Sequence, residues 1–387
     1  MKIFCPRVIR GNRGDLASRL GILLLLEKSG YSDVMVACLD KEDIYPCRFK
    51  TVPYGILHNL VPSPAGMKAL LFCDVIIWTG GLDLQDDSSL VKLIHTLLVF
   101  ASYKLLGKKV YVMNQGAGPI ESRSGRILTR IILHLTDRFI VRDSRSLKLL
   151  RSISAGAKLL QGRDGIFTSA FEKLINGKPK SIQACSGFLI GFNIRMWHHF
   201  SSGILPFQYN RRAYEKRGAE RMSKLVEASV VFCNSITQNH NVRILLFSMY
   251  QAGEDPWENE ERYLREIKSK TGEEIELVDL TVGMEDFCQK IRECKCMIGM
   301  RLHSALLALR FGVPAITIGY TLKNRDIFRD LGLENWVVDL ERFENHPLEM
   351  VSKVEMVMKS EQKLSSVRDA ISINDRCLKK FSDHYLV

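Results

Sequence analysis

Short apolar runs alternate with segments of helical period along almost the whole chain. Continuous apolar runs of this length read as buried strands, and the longer amphipathic stretches between them as helices laid over a parallel sheet. In the first half the pattern predicts strands at 2–8, 34–39, 74–79, 109–113, 138–142 and 158–161. Helices are expected between them at 14–29, 88–106, 124–136 and 143–152. The polar stretch 176–186, with Gly177 and Pro179, reads as a linker. A second series follows, with strands at 187–193, 242–248, 275–278, 296–299, 314–318 and 336–338. Its helices fall at 211–232, 257–270, 284–293, 302–311 and 324–331, and 347–385 is helical to the end. The fold class expected is α/β: two Rossmann-like domains facing across a cleft, each a parallel sheet flanked by helices. The divisions are 1–175, 186–345 and a helical segment 346–387 that packs back on the N-terminal domain.

A length of 387 residues suits two cores, and 46% hydrophobic residues with 25% charged ones give each half enough apolar surface to fold. The excess of 55 Lys+Arg over 43 Asp+Glu, a net charge of +12, would suit an anionic partner. Those cations are scattered, with no aromatic-interleaved motif, so a nucleic acid is not expected. The ten cysteines include no C-x-x-C pair and mostly sit in apolar stretches, which reads as reduced buried thiols in a cytoplasmic protein. The N-terminus opens directly into a strand, and the longest apolar stretch, Leu20 to Leu26, is too short to span a bilayer. No pattern points to an oligomeric state.

In open parallel sheets, ligands bind beyond the carboxyl ends of the strands, so the residues there matter most. Strand 74–79 ends at Gly80-Gly81, followed by Asp83, Gln85 and Asp86. Strand 109–113 runs into Asn114-Gln115-Gly116-Ala117-Gly118-Pro119, and strand 138–142 delivers Arg142-Asp143-Ser144. In the second half the corresponding positions are Asn193 and Arg195, Arg301-Leu302-His303, and Tyr320 with Lys323. Glycines there let backbone N–H groups approach a ligand, and four cations from both halves face one cleft. Arg301 stands where a strand turns into a helix, suited to grip a carboxylate or phosphate, and His303 to exchange a proton. The alternative is a capping histidine beside an arginine paired with a neighbouring carboxylate.

These stretches resemble the polysaccharide pyruvyl transferase family. The resemblance is carried by Gly11-Asn12-Arg13-Gly14-Asp15, Gly80-Gly81-Leu82-Asp83-Leu84-Gln85-Asp86 and Gln115-Gly116-Ala117-Gly118-Pro119-Ile120. It continues through Val141 to Ser146, Asp164, Ile194-Arg195, Gly299 to Ser304, Gly312-Val313-Pro314 and Tyr320 to Lys323. Two departures stand out: Leu82 replaces a third glycine, and Arg13 replaces the usual tyrosine or phenylalanine, a change that bears on acceptor choice.

The resemblance implies a fold similar to GT-B glycosyltransferases. It also implies an activity: transfer of the enolpyruvyl group of phosphoenolpyruvate to a sugar of a surface polysaccharide or its lipid-linked precursor, forming a pyruvate ketal. The N-terminal domain would hold the acceptor and the C-terminal domain phosphoenolpyruvate, a co-substrate; no cofactor or metal is expected. His303, Arg301 and Asp15 are the catalytic candidates. Arg142, Arg195, Lys323, Leu302, Gly80, Gly81, Gln115, Gly116, Gly118, Asp143 and Asp164 are the substrate-binding ones. A nucleotide-sugar GT-B enzyme is the rival, although Glu285 and Glu293, spaced as its ribose-gripping pair would be, share one helix away from a strand's carboxyl end. A non-catalytic anion-binding scaffold is the second alternative. Part of the charge would suit peripheral contact with an anionic inner membrane surface. Helix 124–136, with Arg123, Arg126 and Arg130 beside Ile127, Leu128, Ile131 and Ile132, is the candidate face. The simpler reading of that helix, a solvated basic face over a buried apolar stripe, is preferred.

Overall fold

The computed structural model describes residues 1–9, 11–38, 49–54, 61–81, 83–87, 90–174, 188–196, 211–239, 241–250, 260–360 and 365–385. The linker reading at 176–186 and the departure at Leu82 lie outside the described residues. The first sheet contains β1 (Ile3–Cys5), β2 (Val34–Cys38), β3 (Lys50–Pro53), β4 (Val75–Thr79), β5 (Lys109–Gln115), β6 (Arg138–Val141) and β7 (Leu159–Gln161). All pair in parallel, in the order β3-β2-β1-β4-β5-β6-β7. The second contains β8 (Phe188–Asn193), β9 (Val242–Leu246), β10 (Ile275–Leu277), β11 (Cys296–Gly299), β12 (Ala315–Gly319) and β13 (Val337–Asp339). It too is parallel, in the order β10-β9-β8-β11-β12-β13. Chain order reverses between β1 and β4 in one sheet and between β8 and β11 in the other, and crevices at such reversals are where open α/β sheets bind ligands.

The first sheet carries α1 (Arg13–Lys28), α2 (Pro64–Phe72), α3 (Leu90–Leu105), α4 (Arg123–Leu135) and α5 (Ser144–Ile153). The second carries α6 (Arg211–Asn239), α7 (Glu261–Ser269), α8 (Met284–Glu293), α9 (Leu302–Arg310), α10 (Leu322–Asp330), α11 (Leu340–Asn345) and α12 (Glu349–Lys359), and α13 (Ser365–Tyr385) ends the chain. One apolar cluster lies under α2 to α5. The other runs from α1 through the second domain without a break, because α1 is buried on nearly every side between its own sheet and α9.

Three differences from the sequence expectation have local causes. β1 stops at Cys5, not at 8, which frees Arg7 from the strand. β5 continues to Gln115 through a register shift at which Asn114 takes φ 55°. β3 and α2 were not expected: the strand reads Lys-Thr-Val-Pro, with too few apolar residues to signal burial. The Ser63 cap and Pro64 that start α2 are ordinary helix signals in a segment read as a loop.

The domains are locked together by buried cations. The Arg13 guanidinium donates to the carbonyls of Val282 and Leu280 at 2.8 Å each and lies over the Phe287 ring. Arg13, the departure read as bearing on acceptor choice, is thus buried with both terminal nitrogens bonded across the domain interface. Arg310 donates to the carbonyls of Ile166 and Thr168. Ser144 donates from its backbone and hydroxyl to the Asp330 carboxylate at 2.8 and 2.6 Å. From α13, buried Asn374 reaches the first domain, donating to the Asp164 carbonyl at 2.7 Å and accepting from Asn114 and Arg163. Eight described cysteines are buried and unbridged.

Candidate active site

The site forms where the loops after β6 and β7 meet the start of α9. Asp164, 3% exposed, places one carboxylate oxygen 3.2 Å from His303 Nε2 and 3.3 Å from Arg142 Nη1. Burial pushes this carboxyl up, but His303 and then Arg142 outweigh it and hold the group well below the usual carboxylate range. A carboxylate kept ionised in this way fixes the orientation of the imidazole. With Nε2 donating to Asp164, Nδ1 is the nitrogen left to take or give a proton. The His303 ring sits against the first turn of α1, where a β-carbon on Gly14 would lie 2.5 Å from Nδ1.

Arg142 is the strongest anion-binding candidate. Its side chain is buried, its Nη1 faces Asp164, and its Nε and Nη2 have no hydrogen-bond partner. Asp143 Oδ2 lies 3.9 Å from Nε but already accepts from the Ser146 hydroxyl, while Oδ1 caps α5 by accepting from the Ser146 backbone. Gly116 leaves room for the guanidinium, since a β-carbon there would sit 2.9 Å from Nε. Lys323, partly accessible at the start of α10, has its ammonium pushed down to about 7. Burial is the main cause and the Arg142 charge the next, while Asp143 and Asp15 oppose them. Arg142 and His303, far apart in sequence, therefore meet on Asp164, and Lys323 lies near enough to Arg142 for the two charges to act on each other.

A profile for polysaccharide pyruvyl transferase matches residues 12–321, a stretch that includes Arg142, Asp164 and His303 and ends just before Lys323. The chain belongs to that family. Among its relatives, the amylovoran biosynthesis protein AmsJ of Erwinia amylovora is 22% identical over 280 residues, covering 69% of this chain. The match spans 62% of AmsJ, less than two thirds of that relative's length. The UDP-GlcNAc 2-epimerase of Methanocaldococcus jannaschii superposes with a TM-score of 0.60 at 14% identity, over 99% of this chain and all of the other. MnaA of S. aureus, solved with UDP, gives 0.61 at 12% identity over 100% and 97%. These likenesses concern the fold: two Rossmann-like domains in a GT-B-like arrangement.

The other candidates of this pyruvyl transferase family member divide by what their polar atoms do. Arg301 donates to the fully buried Glu260 carboxylate at 3.2 Å and lies over the Tyr250 ring, an arginine paired with a carboxylate as in the structural alternative. Glu260 also accepts from Asn193 and the Met249 backbone, so this network ties β8, β9 and α9 together. Arg195 hydrogen-bonds the Tyr320 hydroxyl. Leu302 buries its side chain in the core. Gly118, at φ 90°, spends its N–H on the Leu84 carbonyl, and the Gly80 carbonyl accepts from Gln115. Glu285 is exposed and half-buried Glu293 accepts from Gln289, both on α8.

Arg7 went unrecognised in the sequence. It lies 3.1 Å from Asp83 and 3.6 Å from Asp15, and its Nη1 is buried without a hydrogen-bond partner. Gly81 makes room for it: a β-carbon there would meet Nη2 at 2.0 Å. Asp83 also accepts from Trp78 and Gln115; burial raises it, but Arg7 and Lys92 hold it well below the usual carboxylate range. A charged residue at a β1 carboxyl end was the available signal, obscured by reading the strand to residue 8. Among the described residues no cluster of His, Cys, Asp or Glu has the makings of a metal site.

Proposed function

We propose that this protein transfers the enolpyruvyl group of phosphoenolpyruvate to a sugar of an exopolysaccharide or its precursor, forming a pyruvate ketal and releasing phosphate. The observation that carries the reading is Arg142, buried with two donor nitrogens unpaired, beside Lys323 and the His303–Asp164 pair. Unpaired buried guanidinium nitrogens are costly, and a bound oxyanion relieves that cost. A three-carbon ester with both a phosphate and a carboxylate needs several fixed cations, and Arg142, Lys323 and Arg195 supply them.

In this reading His303 moves the proton. Protonation of the methylene carbon gives an oxocarbenium-like centre, which one sugar hydroxyl attacks. A second hydroxyl of the same sugar displaces phosphate to close the ketal. One hydroxyl proton ends on the new methyl group and the other on phosphate, so the sum balances. Asp164 orients the imidazole, and Asp15, held by Arg7 at the first turn of α1, accepts a hydroxyl proton in this scheme. Arg301, engaged with Glu260, positions the turn that carries His303.

The test is incubation with phosphoenolpyruvate and candidate glycans, read by mass spectrometry for an added pyruvate ketal and by phosphate release. His303→Ala should lower turnover by about 10²–10⁴-fold with little change in Tm; near wild-type turnover would remove His303 from the mechanism. Protection from heat by a nucleotide sugar but not by phosphoenolpyruvate would favour a glycosyltransferase instead.

A further inference from the structure

The outer side of the first domain carries an apolar surface that the chemistry above does not use. Helices α3 and α4 pack side by side over the sheet. Leu98 of α3 is 51% exposed and Ile127 of α4 58% exposed, with Ile94 and Ile131 also exposed beside them. The surface continues to the far end of α3, where Leu105 is 88% exposed and Phe72 of α2 61%. Lys108 joins these ends by donating to the carbonyls of Leu71 and Cys73. Exposed aliphatic and aromatic residues this numerous on adjoining helices mark an interaction surface rather than ordinary scatter.

The charge on these helices is one-sided. α2, α3 and α4 carry Lys68, Lys92, Lys104, Arg123, Arg126 and Arg130 and not one aspartate or glutamate. Lys92 and Lys104 have carboxylate partners in Asp83 and Asp137, but the α4 arginines donate only to backbone carbonyls where they bond at all. We infer that this face rests on an anionic lipid surface, with the apolar side chains in the headgroup boundary and the arginines on lipid phosphates. A second copy is the poorer occupant, because two-fold pairing would set the same arginines against one another. α3 and α4 start from the loops after β4 and β5, so their N-terminal halves, with Ile94, Arg123 and Arg126, lie toward the carboxyl edge of the first sheet. No helix among the described residues is long and apolar enough to cross a membrane, so the contact is interfacial.

The test is cosedimentation of the full chain with phosphatidylglycerol–phosphatidylcholine vesicles against phosphatidylcholine alone, with light scattering of the chain in solution. It needs neither phosphoenolpyruvate nor acceptor, so its outcome is independent of the proposed chemistry. The wild type should bind the anionic vesicles only. Ile94→Glu with Ile127→Glu should abolish binding at unchanged Tm, and Arg123→Ser with Arg126→Ser should weaken it about fivefold per charge. Failure to bind anionic vesicles, equal binding to neutral ones, or binding indifferent to both variant pairs overturns the inference. So does a wild-type dimer that the glutamate pair converts to monomer, since that face would then belong to a second copy.

Discussion

Burial lowers the Lys323 ammonium to about 7, the Arg142 charge pushes it the same way, and Asp143 and Asp15 only partly oppose them. A bound anion favours the charged form. Below about 7 the proton is already present and affinity is flat; above it, binding must draw a proton from solution and affinity falls, by up to about tenfold per pH unit. Sulfate, which keeps its own charge across this range, is a suitable probe by calorimetry. Lys323→Arg, charged throughout, should level the profile. Lys323 and Arg142 were legible in the sequence because both stand just past strands whose apolar runs are unmistakable. Arg7 and Glu260 were not: one was absorbed into an overextended strand, and the other acts only through Arg301 and Asn193, which its place in the chain does not reveal.

At the scale of elements, the first turn of α1 sets the position of the imidazole. Asn12 caps it by accepting from the Gly14 and Asp15 backbones, and Gly14 lets His303 lie against the helix. Alanine favours a helix more than glycine does, yet at residue 14 its methyl would overlap His303 Cβ and Cγ as well as Nδ1. Gly14→Ala should therefore lower turnover by roughly 10²-fold, the usual scale for displacing a catalytic group by about an ångström. A kinetic assay beside a melting curve checks this, and unchanged kcat would mean that the ring accommodates. The long apolar strands were readable from their sequence alone. β3 was not, because an edge strand of four residues with a proline leaves almost no periodic trace.

At the scale of the molecule, the last helix takes part in the site. Asn374 is fully buried, and its amide holds the Asp164 carbonyl, the Arg163 N–H and the Asn114 side chain at once. Asn374→Leu should cost on the order of 2–4 kcal/mol, about 1 kcal/mol for each hydrogen bond lost. It should also lower turnover at temperatures where the fold survives, because the Asp164 backbone loses its anchor. Denaturant unfolding paired with kcat separates the two effects. The alternation of strands and helices announced two sheets, but a contact spanning some two hundred residues, between one polar side chain and a loop, has no periodicity to announce it.

The unsatisfied donors of Arg142 carry a consequence for repeated turnover. Charge alone does not distinguish the phosphate of an incoming ester from the free phosphate left after its carbons have gone. On the proposed chemistry the enzyme is restrained by its own by-product, so its throughput depends on how fast the surroundings clear inorganic phosphate.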